Sequence, residues 1–354
     1  MNTAILNVAC GEAISDANTC DSIGVAYELC KRGFFVRTSV TVCVQSDIAA
    51  SFDRLLKAND LVVICGNADV FYQAMSGKYV LSDKPKLFSV GDKLCAVVEN
   101  ATADYIGREL VPMLNGKRST SYDTSVFCTF GVTEEKLREL LKNQIKNRNK
   151  IVFKFVSNPP ECKVLVRYSN KMRKDTVNAL LSEVAKILKD CTYSYDDSVS
   201  LAEKVASLLI EKKKTLGVAE SFTGGNIAAS LVGVPGISSS LKEGLVCYSN
   251  DAKIKHLRVP KHVIDNFGAV SDETAYEMAA NLLADGKHDY VLATTGNAGP
   301  TSEKPNEVGL CYIAVGTADA VDVYKCNFTG TRNEVINEGT KTALYYLYKA
   351  LSGK

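Results

Sequence analysis

The sequence predicts an α/β protein with three-layer parallel-sheet domains at both ends, joined by a small α+β middle domain. Three observations carry this expectation. Short runs that are apolar on both faces, such as "DLVVICG" and "YVLATTG", alternate with helical patterns, as parallel strands covered by helices on both sides require. The alternation fades near Ser119 to Tyr122 and returns at Ser198. At 354 residues the chain is also too long for one typical domain of roughly 100 to 200 residues.

Each element follows from local pattern. Over 1–120, "TAILNVAC", "FFVRTSVTVCV" and "DLVVICG" read as strands, and "DSIGVAYELCKRG" and "DIAASFDRLLKAN" as the helices between them. Over 121–197, "TEEKLRELLKNQIKN" reads as a helix capped by Thr133, "KIVFKFVS" and "CKVLVRYS" as two strands, and "KDTVNALLSEVAKILKD" as a second helix. Over 198–354 the strands are "TLGVAE", "LKEGLVCYS", "YVLATTG", "LCYIAVG" and the edge strand "AVDVYKCNF". Helices fall on "SLAEKVASLLIEKK", "GNIAASLVG", "SDETAYEMAANLLADG" with Ser271 as cap, and "RNEVINEGTKTALYYLYKAL".

Composition excludes several classes. Hydrophobic residues at 46% and charged residues at 23% argue against a disordered or fibrous chain. A net charge of +2 offers no general attraction to nucleic acid or acidic membranes, and neither is expected as a partner. The basic stretch Lys142 to Lys150 lacks interleaved aromatics and reads as a solvated helix end. "MNTAILNVACGEA" lacks the features of a secretory signal, and no run reaches about 18 apolar residues, so a soluble cytoplasmic protein is expected. The 12 cysteines are scattered singly without a CxxC pair, which predicts reduced thiols rather than a metal site.

Chemistry concentrates in the last domain. "ESFTGG" lies between an apolar strand and a helix, where Ser221 and Thr223 supply hydroxyls and Gly224 and Gly225 allow close approach to the backbone. Such a turn is either a plain connector or the seat of a nucleophile. A serine nucleophile needs a base, and only three histidines are present. Lys253 in "YSNDAKIKHL" is a candidate base with Tyr248 and Asn250 beside it; the alternative is a solvated lysine on a surface helix. A second glycine-rich turn, Thr294 to Gly309, leaves backbone amides free for a phosphate or carbonyl oxygen.

The blocks "VAESFTGG", "VPGISSSLKEGLVCYSNDAKIKHLRV", "GAVSDETA", "TTGNAGP" and "FTGTR" together resemble the C-terminal domain of the CinA family, the competence and damage-inducible proteins. The resemblance spans about Ser198 to Lys354. It implies hydrolysis of the carboxamide of nicotinamide mononucleotide to nicotinate mononucleotide and ammonia, with no metal or cofactor. Ser221 matches the family nucleophile, Lys253, 32 residues later, its base, and Tyr248 the tyrosine expected to complete the catalytic set. Thr295 and Gly296 match the substrate loop, Arg332 matches an arginine suited to phosphate, and Thr223, Gly224, Gly225 and Asn250 complete the expected substrate contacts. The backbone N–H groups near Thr223 to Gly225 are the expected oxyanion donors. The resemblance also implies a small nucleotide as partner and a homodimer.

Departures are visible in the same blocks. Phe222 stands where the family has cysteine, and "GPTSEKPNEVG" departs from the family loop. Residues 1–120 resemble more faintly a molybdopterin-binding-like domain, with Cys10, Gly11, Glu12, with Cys20, Asp21, Ser22 and with Cys65, Gly66, Asn67, Ala68, Asp69 in place of its usual groups, so a fold kept for assembly is expected. Two further readings stand beside the amidase: a noncatalytic relative that binds nucleotides or partners, and metal-dependent cleavage of ADP-ribose in the first domain.

Overall fold

The computed structural model describes residues 1–9, 22–79, 81, 83–99, 102–117, 122–145, 151–301 and 308–353. They divide into two compact units, one of residues 1–125, 145–154 and 165–183, the other of residues 126–144, 155–164 and 184–354. Cys10 to Asp21, and residues 146–150 of the basic stretch, lie outside the described residues.

The chain begins β1 (Asn2–Val8), α1 (Ser22–Lys31), β2 (Phe35–Val42), α2 (Ile48–Ala58), β3 (Leu61–Gly66), α3 (Ala68–Met75), β4 (Leu87–Val90) and β5 (Lys93–Val98). A helical run follows, with α4 (Ala103–Tyr105) and α5 (Val111–Asn115) flanking a wider turn over Ile106–Leu110. The sheet order is β2-β1-β3-β5-β4, parallel except for β4. Along β1, Ala4, Leu6 and Val8 pack with Phe52 and Phe71 on one face, while Ile5 packs with Leu29 and Ile106 on the other. Both faces are covered, which is why the consecutive residues Ala4, Ile5 and Leu6 are all apolar.

Next come β6 (Tyr122–Phe130), α6 (Glu134–Gln144), β7 (Ile151–Asn158), β8 (Glu161–Ser169), α7 (Lys174–Ile187) and β9 (Thr192–Ser194). Their sheet runs β7-β8-β6-β9. Thr133 caps α6 as expected, its hydroxyl accepting from Lys136 N–H at 3.3 Å. Strands β6 and β9 were not anticipated: β6 opens on polar, partly exposed residues, and β9 is three residues long.

The last part contains α8 (Leu201–Glu211), β10 (Leu216–Glu220), α9 (Asn226–Val232), β11 (Leu241–Val246), α10 (Asn250–Leu257), α11 (Lys261–Phe267), α12 (Asp272–Ala284), β12 (Tyr290–Gly296), β13 (Leu310–Thr317), β14 (Val321–Asn327) and α13 (Arg332–Ser352). The sheet order is β11-β10-β12-β13-β14. β10, β11 and β12 are parallel, as the helices between them require, whereas β13 and β14 return antiparallel and make the sheet mixed. No helix intervenes between β13 and β14 to carry a parallel crossover. Ala219, Val291 and Ala293 pack against Met278, Ala279 and Leu282 of α12, and α13 and α9 lie on the other face, with α8 packed against α13. The closing helix begins with a capping box, Thr331 and Glu334 bonding each other's backbone N–H groups. Among the described residues no helix is long and apolar enough to cross a membrane, and all ten described cysteines are free thiols.

Candidate active site

The sequence places a serine directly after β10, at the carboxyl end of a central strand. Ser221 N–H donates to the Thr294 carbonyl at 3.0 Å, so the first residue of the turn is still tied to β12. Gly224 and Gly225 then adopt positive φ, 62° and 96°, which reverses the chain into α9 at no Cβ cost. Ser221 is 6% exposed.

Lys253 reaches this serine from α10. That helix starts at the cap Ser249, whose hydroxyl accepts from Ala252 N–H at 3.1 Å. Lys253 and Leu257, one turn apart, form its buried face. Lys253 is 2% exposed, which excludes the solvated lysine considered above. Its Nζ lies 2.9 Å from Ser221 Oγ, 3.1 Å from the Cys247 carbonyl and 3.4 Å from the Tyr248 carbonyl. Among the described residues no carboxylate pairs with it. Burial pushes its pKa below the ordinary 10.5, against the opposing influence of Cys247. A neutral amine suits the geometry: two N–H groups serve the carbonyls and the lone pair faces the Ser221 hydroxyl.

The remaining candidates divide by where their side chains go. Thr223 is fully buried, with its hydroxyl 2.8 Å from that of Thr294. Thr295 is 1% exposed and donates its hydroxyl to the Ala269 carbonyl at 2.6 Å. Gly296 sits opposite Cys311 of β13, where a Cβ would lie 2.4 Å from the sulfur. These three build the floor rather than the opening. Asn250 is exposed at the start of α10. Tyr248 is 61% exposed, and its hydroxyl accepts from Arg332 at 2.7 Å; only its main-chain carbonyl faces Lys253. Arg332 also donates to the Gly299 carbonyl, so Tyr248, Arg332 and the loop after β12 meet at one rim. Residues 302–307 of that loop lie outside the described residues.

Two residues carry weight that sequence reasoning missed or misjudged. Glu220, 1% exposed, accepts from Gly225 N–H at 2.9 Å, Ile227 N–H at 3.1 Å and Ala228 N–H at 2.9 Å. This corrects the expectation that Gly225 N–H serves an oxyanion, since it is committed to an internal carboxylate. Among the described residues, the Phe222 and Thr223 N–H groups have no partner. The one sequence signal was an acidic residue a few positions before a helix start, a common capping arrangement. Phe222, bulky beside the serine, turns its ring away into the core: it is 3% exposed, and a Cβ on Gly339 of α13 would lie 2.5 Å from two of its ring carbons.

A family model described as the CinA C-terminal domain matches residues 198–351. A CinA-like protein of Endomicrobium trichonymphae is 36% identical over 240 residues, covering 65% of this chain and 55% of that protein. A chain of Clostridium perfringens described as a competence-damage inducible protein is 36% identical over 250 residues, 68% of this chain and 59% of its own. This chain thus spans less than two thirds of the length of these curated relatives. Among solved structures, the competence/damage inducible protein CihA of Agrobacterium tumefaciens is 33% identical, covering 43% of this chain and 93% of its own with a TM-score of 0.41. The chain belongs to the CinA family through its C-terminal domain.

Proposed function

We propose that the protein hydrolyses the carboxamide of nicotinamide mononucleotide to nicotinate mononucleotide and ammonia, with Ser221 as nucleophile and Lys253 as its base. The observation that supports this most is the 2.9 Å approach of Lys253 Nζ to Ser221 Oγ inside a buried pocket that lowers the lysine pKa. Neutral Lys253 takes the Ser221 proton as Oγ bonds to the amide carbon and the carbonyl electrons move to oxygen. Phe222 and Thr223 N–H are the free donors on the turn that can meet that oxyanion. The C–N bond then breaks, the Lys253 ammonium returns its proton to the departing nitrogen, and ammonia leaves an ester on Ser221. Water, deprotonated by neutral Lys253, attacks the ester, and Ser221 leaves with the proton.

Arg332, held at the rim by Tyr248, is the cation suited to the substrate phosphate. The ring of Phe222, packed against Gly339, leaves the serine unobstructed on that side, which favours turnover over the noncatalytic reading. Of the residues tied to ADP-ribose cleavage in the first domain, Cys10 to Asp21 lie outside those described, and Gly66 and Asn67 only close β3 and cap α3.

A homodimer belongs to the same proposal. β11 is an edge strand with Val246 52% exposed, and Val232 of α9 is 65% exposed, apolar surface a second copy would cover. Light scattering tests it. For the mechanism, acid quenching during turnover should leave a nicotinoyl nucleotide ester on the peptide containing Ser221. An adduct on another residue would remove the assignment.

A further inference from the structure

We propose that Glu220 is a positioning residue, whose carboxylate locks the turn 221–225 so that Ser221 Oγ stays within reach of Lys253. The inference rests on the reading of Ser221 and Lys253 as a nucleophile and its base. Glu220 is 1% exposed, and its carboxylate takes no cation among the described residues. Such burial is costly unless hydrogen bonds compensate, and here three backbone N–H groups do so, from Gly225, Ile227 and Ala228. The position before α9 could have carried serine, aspartate or asparagine as an ordinary cap, but it is Gly225 at φ 96°, with no side chain to offer. α9 is seven residues long, too short to hold its first turn unaided.

The carboxylate therefore does what the missing cap cannot, and it does so from the residue adjoining the nucleophile. The main chain of Glu220 extends the link. Its carbonyl accepts from Cys247 N–H at 2.7 Å, and the Cys247 carbonyl in turn accepts from Lys253 Nζ at 3.1 Å. One residue thus braces the serine turn through its side chain and the lysine pocket through its backbone. Two consecutive glycines at positive φ would otherwise leave Ser221 several alternative placements. The internal carboxylate also fills the start of α9, which directs a substrate anion to the Arg332 rim instead.

The test uses the full-length protein and a small sulfonyl fluoride, which reports nucleophile activation whatever the natural substrate is. The rate of labelling at Ser221 is followed by peptide mass across pH in wild type, Glu220→Gln and Glu220→Ala, with the melting temperature of each recorded. The amide of Glu220→Gln can keep the two bonds made by Oε2 and loses the third. A positioning role predicts labelling slowed a few-fold in Glu220→Gln and by about tenfold or more in Glu220→Ala, at temperatures where both are folded. The pH midpoint of labelling stays at the wild-type value, because geometry changes and the lysine environment does not. Wild-type rates in a folded variant overturn the proposal, as does a shifted midpoint without loss of rate. If Glu220→Ala does not fold, Glu220→Gln decides. Silence of the wild type itself defeats the Ser221–Lys253 reading, and the proposal with it, and is told apart by being common to all three proteins.

Discussion

The ring of Phe222 occupies the space that Gly339 leaves by having no side chain: a Cβ there would stand 2.5 Å from two ring carbons. The residue after Ser221 and the middle of the closing helix are therefore one packing unit. Gly339→Ala should cost about 1–3 kcal/mol by overpacking and displace Ser221 with the ring. Phe222→Cys should open a cavity in the parent yet restore stability to Gly339→Ala. Urea denaturation of the four proteins in this cycle checks the coupling, and additive effects would show that the two positions are independent.

A lysine can act as a base only when neutral, and burial lowers the pKa of Lys253. Turnover should rise with pH through a midpoint below 10.5, since the protonated ammonium has no lone pair to offer. Lys253→Arg, whose guanidinium stays charged, should lose activity at every pH. A pH profile that is flat, or that falls where the lysine deprotonates, contradicts this role.

Arg332 donates to the Tyr248 hydroxyl at 2.7 Å at the rim, and neither side chain bonds Ser221 or Lys253. Binding and chemistry should separate accordingly. Tyr248→Phe is expected to raise KM a few-fold with kcat little changed, and Arg332→Ala to raise KM by about tenfold or more. Steady-state kinetics distinguish this from a part for the Tyr248 phenol in proton transfer, which would lower kcat instead.

Asp289 clips the start of β10. Its carboxylate accepts from Thr215 N–H at 2.8 Å, from the Thr215 hydroxyl at 2.8 Å and from Lys214 at 2.9 Å. The backbone bond from Thr215 first, then Lys214, holds its pKa at about 2, below the usual 3.8. Because the folded value is depressed, this contribution is present above 3.8 and is lost as the pH falls toward 2. The carboxylate is 36% exposed, so the effect should stay under about 1 kcal/mol. Comparing melting temperatures between about pH 5 and pH 3 should show a smaller decline for Asp289→Asn than for wild type.

Much of this arrangement was legible in the chain. Strands apolar on both faces, such as Leu61 to Cys65, announced their burial through composition, because a covered parallel strand has no solvent face. The return of β13 was less legible, since an apolar run looks the same whichever way it points. Lys253 could be nominated but not buried by inspection: Asn250, Asp251, Lys255 and His256 share its helix and mask the one inward face. Glu220 was hard to read for a related reason. A glutamate ending a strand reads as surface charge, and only the folded turn brings three N–H groups to it. The hairpin of β4 and β5 and the polar opening of β6 were lost where alternation is short or half exposed.

The central claim is that Ser221, activated by Lys253, cleaves an amide. Ammonia release from nicotinamide mononucleotide by wild type, Ser221→Ala and Lys253→Ala, each shown to be folded, tests it most directly. Turnover by wild type and a loss on the order of 10⁴-fold or more in both variants is the expected result. Ammonia released by Ser221→Ala at the wild-type rate, or binding of the nucleotide by wild type with no ammonia formed, would contradict it.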